Sequence, residues 1–231
     1  MSDLLKIVTR LERYYGSQAL PPAQGPFELV LWENVCYLLP DERRAQVFQA
    51  LRKQLGLAPR AILDAPFETL LPLARMGGMR PEVRVQRWYE IAEIAEREFA
   101  GDLNCILAWP LARAKKALKL FPGVGDPGAE KILMFCGAYS GLALESNGLR
   151  VLTRAGFGRE QKSYVATYRS VQEALQGNLP GEAAALSRAH LVLRKHGQET
   201  CRRAGPECGG CPVASLCALA VAGKKDVVSR W

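Results

Sequence analysis

Four cysteines near the C-terminal end carry the clearest chemistry in the sequence. The run CRRAGPECGGCPVASLC places Cys201, Cys208, Cys211 and Cys217 within 17 residues, in the pattern C-x6-C-x2-C-x5-C. Four thiolates so close together in a reduced compartment usually hold a metal centre. Sulfur ligands suit zinc or an iron–sulfur cluster, and one compact loop favours a single cubane cluster over two zinc knuckles. Zinc, or four thiols without a metal, are the alternatives.

A glycine-containing turn is the second chemical feature. Phe121-Pro122-Gly123-Val124-Gly125 lies between the helical stretches ALKL and AEKILMF. Glycine permits a tight turn and lets backbone N–H groups approach a ligand closely. We expect Asp126 to be the N-cap of the next helix and Pro127 to be its first residue, and exposed amides at such a helix start bind phosphate. An ordinary helix–helix turn is the alternative.

Length, composition and charge bound the class of protein. The chain has 231 residues and a formal net charge of +8, which favours a polyanionic partner. Its 48% hydrophobic content is ordinary for a globular protein. No apolar run approaches the roughly 18 residues of a membrane span, and the first residues lack the apolar stretch of a secretory signal. We therefore expect a cytosolic protein with no membrane partner, in which stable disulfides are rare.

Helical periodicity dominates the chain, and it predicts an all-α fold. Ser2 and Asp3 can cap a first helix that carries apolar residues at helical spacing. No stretch keeps the two-residue alternation of a half-buried strand for long. Further apolar or amphipathic stretches, separated by glycine- and proline-containing breaks, lie near 27–39, 41–55, 67–75, 81–99, 110–120, 127–139, 146–155, 161–176 and 181–196.

The cysteine pattern resembles the cluster loop of endonuclease III-like DNA glycosylases, which binds [4Fe–4S]. The preceding run HLVLRKHGQETC, from His190 to Cys201, is also similar to that family's approach to its first cluster ligand. This resemblance implies that the four cysteines of the loop are the cluster ligands, and it leaves zinc as a minor alternative. In the same family, PGVG is similar to a helix-hairpin-helix element that grips a DNA backbone phosphate, which implies that Pro122, Gly123, Val124 and Gly125 bind DNA.

The resemblance covers nearly the whole chain. GPFELVLWENVCYLL and LARMGGMRPEVRVQRWYEIAEIA resemble segments of the family's central bundle. LALESNGLRVLTRAGFG resembles the active-site segment, especially of adenine glycosylases that act on A/G mismatches. The family fold implied is a two-lobed, all-α helix-hairpin-helix glycosylase with an iron–sulfur cluster loop. Residues 25–139 would form the helical bundle ending in the hairpin, and residues 1–24 with 140–231 the cluster domain.

The function implied is base-excision repair. The protein would bind double-stranded DNA as a monomer, flip a damaged or mismatched base and hydrolyse its N-glycosidic bond. In a bacterium or archaeon it would be cytoplasmic and associated with the nucleoid. We expect this chain to lack the extra C-terminal domain with which adenine glycosylases read oxidised guanine.

Two carboxylates match the family's catalytic positions. Glu145 stands where the family has an aspartate that stabilises the sugar cation, and its side chain is longer by one methylene. Glu33 stands where adenine glycosylases carry a glutamate that protonates the departing base, and its apolar neighbours favour the protonated form. The alternatives are that Glu145 only caps the next helix and that Glu33 lies on a solvated helix face.

Other positions depart from the family pattern. Pro127 stands where some members carry the lysine that forms a Schiff base and cleaves the strand, so lysine-dependent lyase chemistry should be absent. Lys131, one turn further along, is the candidate substitute. Tyr37 stands where the family inserts a polar wedge into the gap left by the flipped base, although it could instead belong to the core. Asp126 repels phosphate and Pro127 lacks an amide, so the hairpin should grip DNA less tightly than in the family.

These departures keep two further functions open. The first is a catalytically weak or inactive relative that only binds DNA or lesions, which the substitutions at Pro127, Glu145 and Tyr37 favour. The second is a bifunctional glycosylase and AP lyase that uses a different amine. Base release from a panel of lesions distinguishes the first, and borohydride trapping on abasic DNA distinguishes the second.

Overall fold

The computed structural model describes residues 3–37 and 39–225, and this part of the chain is helical without β-strands. The all-α prediction is therefore confirmed. No helix of the described part is both long and apolar enough to cross a membrane. The α-helices are α1 Asp3–Tyr15, α2 Gly25–Asn34, α3 Asp41–Leu55, α4 Pro59–Asp64, α5 Phe67–Met76, α6 Pro81–Phe99, α7 Leu111–Leu118, α8 Asp126–Phe135, α9 Ser146–Ala155, α10 Tyr164–Leu175, α11 Ala183–Glu199 and α12 Ala218–Lys225. Short 3₁₀ turns occur at Leu103–Ala108, Cys208–Gly210 and Ala214–Leu216.

The start of α8 differs from the prediction. Gly125 is its N-cap, in extended conformation, and Asp126 is already the first helical residue. The predictions that Asp126 caps this helix and that Pro127 is its first residue are therefore wrong, because Pro127 is the second residue. Pro127 fits the first turn because its fixed φ is helical and its missing N–H would have had no intrahelical acceptor there. The predicted cap residue Ser2 lies outside the described residues.

Several helices are shorter than their apolar stretches. The stretch near 27–39 forms a helix only to Asn34, and the stretch near 127–139 only to Phe135. Apolar residues continue past both ends, which is why periodicity alone placed the boundaries too late. The sequence analysis missed α4, a six-residue helix that is too short to show a period.

The chain divides into two compact groups of residues, and Pro21–Tyr139 is one of them. Its long helix α6 contacts α2, α4 and α5 and buries Trp88 and Ile91 completely. Because α6 also carries Arg84, a guanidinium lies buried in this group and donates hydrogen bonds to three backbone carbonyls. A buried cation that is so fully bonded fixes the loop between α5 and α6.

The second group consists of residues up to Leu20 together with those from Ser140 onward. In it, α11 contacts both α1 and α9, while α9 also contacts α10 and α12. Its apolar core residues include Leu4, Ile7, Leu11, Leu142, Leu152, Val171, Leu175, Val192 and Leu193. The first helix is therefore packed against residues that are distant in the sequence, and the cysteine loop follows directly after α11.

Candidate active site and cysteine pocket

The hairpin Phe121–Gly125 connects α7 to α8 and is fixed to α2. Gly123 has a φ of +77°, a left-handed conformation in which a side chain is strained. A Cβ atom there would also lie 3.4 Å from Asn34 Oδ1. The Asn34 amide donates to the carbonyl of Pro122 at 3.1 Å and to that of Val30 at 3.0 Å. One buried side chain at the end of α2 thus holds the turn in place.

The electrostatics beside the hairpin are set by Asp126. Its carboxylate oxygen Oδ1 lies 3.2 Å from Lys119 Nζ and 3.4 Å from Lys115 Nζ. The hydrogen bond from Lys119 holds the pKa of Asp126 below its ordinary value. An ionised carboxylate therefore sits at the start of α8, where an anion is favoured by the helix dipole, and it competes with any incoming phosphate for both lysines.

Glu33, near the end of α2, forms an ion pair with Lys131 of α8. The Lys131 Nζ atom lies 2.6 Å from Glu33 Oε2, and the two side chains are only 17% and 24% exposed. An ammonium group at this distance stabilises the ionised carboxylate, whereas the apolar sequence neighbours of Glu33 favoured the protonated form. No local sequence pattern predicts this pairing, because the partners are 98 residues apart.

Glu33 also lines an open pocket that reaches the hairpin at Gly123. The other lining residues are Asn34, Cys36, Tyr37, Met79, Arg80, Val83, Arg84 and Arg87. Tyr37 is 57% exposed, so it does not belong to the core, which was the alternative to a wedge. The pocket combines a carboxylate, several arginines and exposed apolar side chains within one group of residues.

Met79 is a second exposed apolar residue of this pocket, and the sequence analysis did not single it out. It is 68% exposed. The buried Arg84 guanidinium donates to its carbonyl at 3.0 Å, and the next residue, Arg80, has a φ of +56°. Non-glycine residues rarely adopt this conformation, so the loop is held in a specific shape. The glycine pair of the run MGGMR is the signal that could have pointed to it.

Glu145 is the N-cap of α9. Its Oε1 atom accepts a hydrogen bond from the backbone N–H of Gly148 at 2.7 Å, and its Oε2 atom accepts one from Asn147 Nδ2 at 2.8 Å. The capping role named as an alternative is therefore present. A helix N-terminus favours an ionised carboxylate, and each oxygen keeps a second lone pair for another ligand.

A hydrogen-bonded series connects Glu145 to the cysteine loop. Asn147 Oδ1 accepts from Arg150 Nη2 at 2.8 Å, and Arg150 Nε donates to the carbonyl of Cys201 at 2.9 Å. Arg150 also donates to the carbonyl of Gly197. The orientation of the candidate catalytic carboxylate thus depends on the same arginine that holds the first cysteine of the loop.

The four cysteines of the loop line a single pocket, and none forms a disulfide. Arg154 Nη1 lies 3.4 Å from Cys201 Sγ, and burial raises the pKa of the Cys211 thiol. Among the residues that the structure describes, no three histidine, cysteine or carboxylate side chains are close enough to share one metal ion. Four thiols around one pocket are a donor set that suits zinc or an iron–sulfur cluster.

His196 borders the cysteine pocket and is almost completely buried. Burial lowers its pKa to about 4, so the ring is neutral near pH 7. Its Nε2 atom lies 3.7 Å from Cys211 Sγ, and its Nδ1 atom lies 2.9 Å from the hydroxyl of Tyr15. His196 lies within the run HLVLRKHGQETC, and nothing in that local pattern predicts its contact with the cysteine pocket.

Known proteins similar to this chain were found by sequence and by structure. No family model matches it. It is 26% identical over 208 residues to the thymine/uracil-DNA glycosylase of Pyrobaculum aerophilum, which covers 88% of this chain and 85% of the relative. It is 24% identical over 179 residues to endonuclease III of Sulfolobus acidocaldarius, covering 77% of this chain and 74% of the relative.

Solved structures share its fold. A thermostable thymine-DNA glycosylase superposes with a TM-score of 0.74 at 16% identity, over 95% of this chain and 97% of that one. A trapped endonuclease III–DNA covalent intermediate superposes with a TM-score of 0.71 at 19% identity, over 97% and 99%. The fold is therefore that of the helix-hairpin-helix DNA glycosylases. The two curated relatives agree with this fold, and the predicted resemblance to the endonuclease III-like glycosylases is confirmed.

Proposed function

We propose that this protein is a base-excision repair DNA glycosylase that flips a damaged or mismatched base and hydrolyses its N-glycosidic bond. The observation that carries the proposal is the environment of Glu145, a carboxylate at the start of α9 whose two oxygens are oriented by hydrogen bonds. The names of the two curated relatives, a thymine/uracil-DNA glycosylase and an endonuclease III, support it. We further propose that the protein acts as a monomer and, in a prokaryotic cell, is associated with the nucleoid.

Glu145 would stabilise the positive charge that develops on the sugar as the base departs. A fixed carboxylate lowers such a barrier because its orientation is established before the reaction starts. Here the amide N–H of Gly148 and the side chain of Asn147 fix both oxygens, and Arg150 fixes Asn147. A remaining lone pair of Glu145 would orient the attacking water.

Glu33 would give a proton to the departing base. The Lys131 Nζ atom lies 2.6 Å from its carboxylate, so donation requires that Glu33 takes up a proton from solvent before the substrate closes the pocket. The pair would then act as one unit, with Lys131 positioning the carboxylate and Glu33 delivering the proton.

AP lyase activity through the family's lysine position is not part of the proposal. Pro127 has no amine there, and the amine of Lys131 is engaged by Glu33 at 2.6 Å. An ion-paired ammonium has no lone pair with which to attack a sugar aldehyde.

We propose that DNA is held by Pro122, Gly123, Val124 and Gly125 through a backbone phosphate. Tyr37 would fill the gap left by the flipped base, since an exposed aromatic ring can stack there. The predicted domains, residues 25–139 and residues 1–24 with 140–231, would carry the hairpin and the cluster respectively.

The cysteine pocket would hold a [4Fe–4S] cluster, with Cys201, Cys208, Cys211 and Cys217 as its ligands. Bound there, the cluster would supply a one-electron redox centre and a cross-link for the loop. The chain contributes donors around it, namely Arg154 on Cys201 and His196 beside Cys211.

Base release from duplexes that carry uracil, alkylated, oxidised or mismatched bases tests the proposed activity. We expect release of at least one base without strand cleavage, and no covalent adduct with borohydride on abasic DNA. A borohydride adduct would replace this proposal with a bifunctional glycosylase and lyase. Lesion binding without any release would replace it with a protein that only binds DNA.

A further inference from the structure

A series of hydrogen-bonded side chains runs from Tyr15 of α1 to the thiol of Cys211, and the proposed base-release chemistry does not use it. The Tyr15 hydroxyl lies 2.6 Å from Thr200 Oγ1 and 2.9 Å from His196 Nδ1. On the other edge of the imidazole, Nε2 lies 3.7 Å from Cys211 Sγ, within hydrogen-bond range for sulfur. The ring therefore bridges a hydroxyl and a candidate cluster ligand.

The donor and the acceptor of each hydrogen bond in this series can be assigned by elimination. A cluster-bound thiolate only accepts hydrogen bonds, so a bare Nε2 lone pair facing Cys211 would be repelled. The Nε2 atom must therefore carry an N–H toward the sulfur, and Nδ1 can accept from the Tyr15 hydroxyl. The Tyr15 hydroxyl uses its proton toward His196, so it accepts from the hydroxyl of Thr200. Every contact in this series then has one donor and one acceptor.

We propose that His196 donates a hydrogen bond from Nε2 to the Cys211 thiolate and thereby raises the reduction potential of the cluster, with Tyr15 fixing the tautomer. This inference rests on the proposed [4Fe–4S] cluster. A hydrogen bond to a ligand sulfur withdraws negative charge, and it stabilises the more negative reduced state more than the oxidised one. The effect is large where water does not compete, and His196 is only 1% exposed.

Arg154, a second side-chain donor to a cysteine sulfur of the loop, is less suited to this role. Arg154 also reaches Cys201 Sγ, but the same guanidinium donates to the carbonyls of Arg202 and Arg203. Removing Arg154 would therefore disturb the loop itself. The imidazole of His196 contacts the loop at the Cys211 sulfur, so its replacement reports on that contact.

The reduction potential of the full-length, anaerobically purified protein tests the proposal. His196→Phe keeps a ring but removes both hydrogen bonds. His196→Gln restores a donor, because the amide nitrogen of glutamine lies near the position of Nε2. Tyr15→Phe removes only the group that fixes the tautomer. The control is His190→Asn, in the same helix, because His190 contacts the carbonyl of Ala143 and does not line the cysteine pocket.

We expect His196→Phe to keep its iron and to shift the midpoint potential downward, in protein-film voltammetry, by about 59 mV, which is tenfold for a one-electron couple. His196→Gln should recover most of the shift, Tyr15→Phe should show part of it and His190→Asn should show none.

A wild-type potential in both His196→Phe and Tyr15→Phe, with full iron, overturns the proposal but not the cluster. If His196→Phe does not fold, an unchanged potential in Tyr15→Phe overturns it equally. Wild-type protein without iron overturns both.

Discussion

Lys131 Nζ and Glu33 Oε2 lie 2.6 Å apart and join α8 to α2 in a largely buried ion pair. The pair connects the helix that follows the hairpin to the helix that carries the candidate proton donor. Removing one partner leaves the other charged and poorly solvated, which costs more than removing both.

Lys131→Met should lower the free energy of unfolding by about 1–3 kcal/mol, because Glu33 loses the ammonium group that lies 2.6 Å from it. The double variant Glu33→Gln with Lys131→Met should recover part of that loss, and urea denaturation measures both. The exposed pair of Arg60 and Asp64 provides the control, and Arg60→Met should change stability by less than about 0.5 kcal/mol. Equal losses in the single and double Glu33/Lys131 variants would show that the two charges are not coupled.

Glu145→Gln should reduce base release by about a hundredfold or more and leave lesion binding intact or tighter, because the carboxylate charge acts only as the bond breaks. Single-turnover release and gel-shift affinity measure the two effects. Glu182→Gln is the matched control, since Glu182 is the N-cap of α11 but accepts no capping hydrogen bond. Full activity of Glu145→Gln on a substrate that the wild type cleaves would remove Glu145 from the mechanism.

Cys208→Ser or Cys211→Ser should reduce the iron content from about four per chain and lower the yield of folded protein, because a bound cluster stabilises the loop that holds it. Iron analysis and absorbance near ~400 nm measure the loss. Cys105→Ser is the control, because Cys105 is exposed and does not line the cysteine pocket. Stoichiometric zinc in the wild type would contradict the cluster.

Gly123→Ala should weaken binding to all DNA sequences alike, by roughly tenfold or about 1.4 kcal/mol, because the hairpin contacts phosphate and no base. Gly56→Ala controls for backbone strain: Gly56 has nearly the same φ, +78°, with nothing within 4 Å of an added Cβ. Gly125→Ala should also weaken binding. Because Gly125 has a φ of −94°, this variant adds no left-handed backbone strain and tests only whether the DNA approaches the backbone closely. Equal DNA affinities for Gly123→Ala and Gly56→Ala would argue against a hairpin contact.

Asp126→Asn should tighten DNA binding and steepen its salt dependence, which is roughly −0.9 per neutralised phosphate, because Lys119 is released from the carboxylate, while Lys115 stays paired with Glu130. Since the pKa of Asp126 is lowered by Lys119, the group is ionised from about pH 5 upward. The gain in affinity should therefore be the same at about pH 5.5 and about pH 8. Any stability from this carboxylate is present above its ordinary pKa and is lost as the pH falls through the lowered value. Fluorescence anisotropy titrations at several salt concentrations measure the effect on binding.

The sequence predicts those features of the structure that are encoded by residues close together in the chain. The helices follow from apolar periodicity, and the cysteine pocket follows from a 17-residue pattern. The pairing of Glu33 with Lys131 and the bridge from Tyr15 to His196 could not be predicted, because their partners are 98 and 181 residues apart. Such contacts depend on how helices pack, which no local pattern encodes.

The amide of Asn34 fixes the distance between the hairpin and the end of α2. It joins the hairpin carbonyl of Pro122 to α2 one residue after Glu33, so neither can shift along the other without breaking a part-buried hydrogen bond. A strand held by its phosphate at Gly123 would present its nucleotides to Glu33 at a constant offset. The protein would then first select a nucleotide by its distance from the bound phosphate, and only afterwards by the identity of its base.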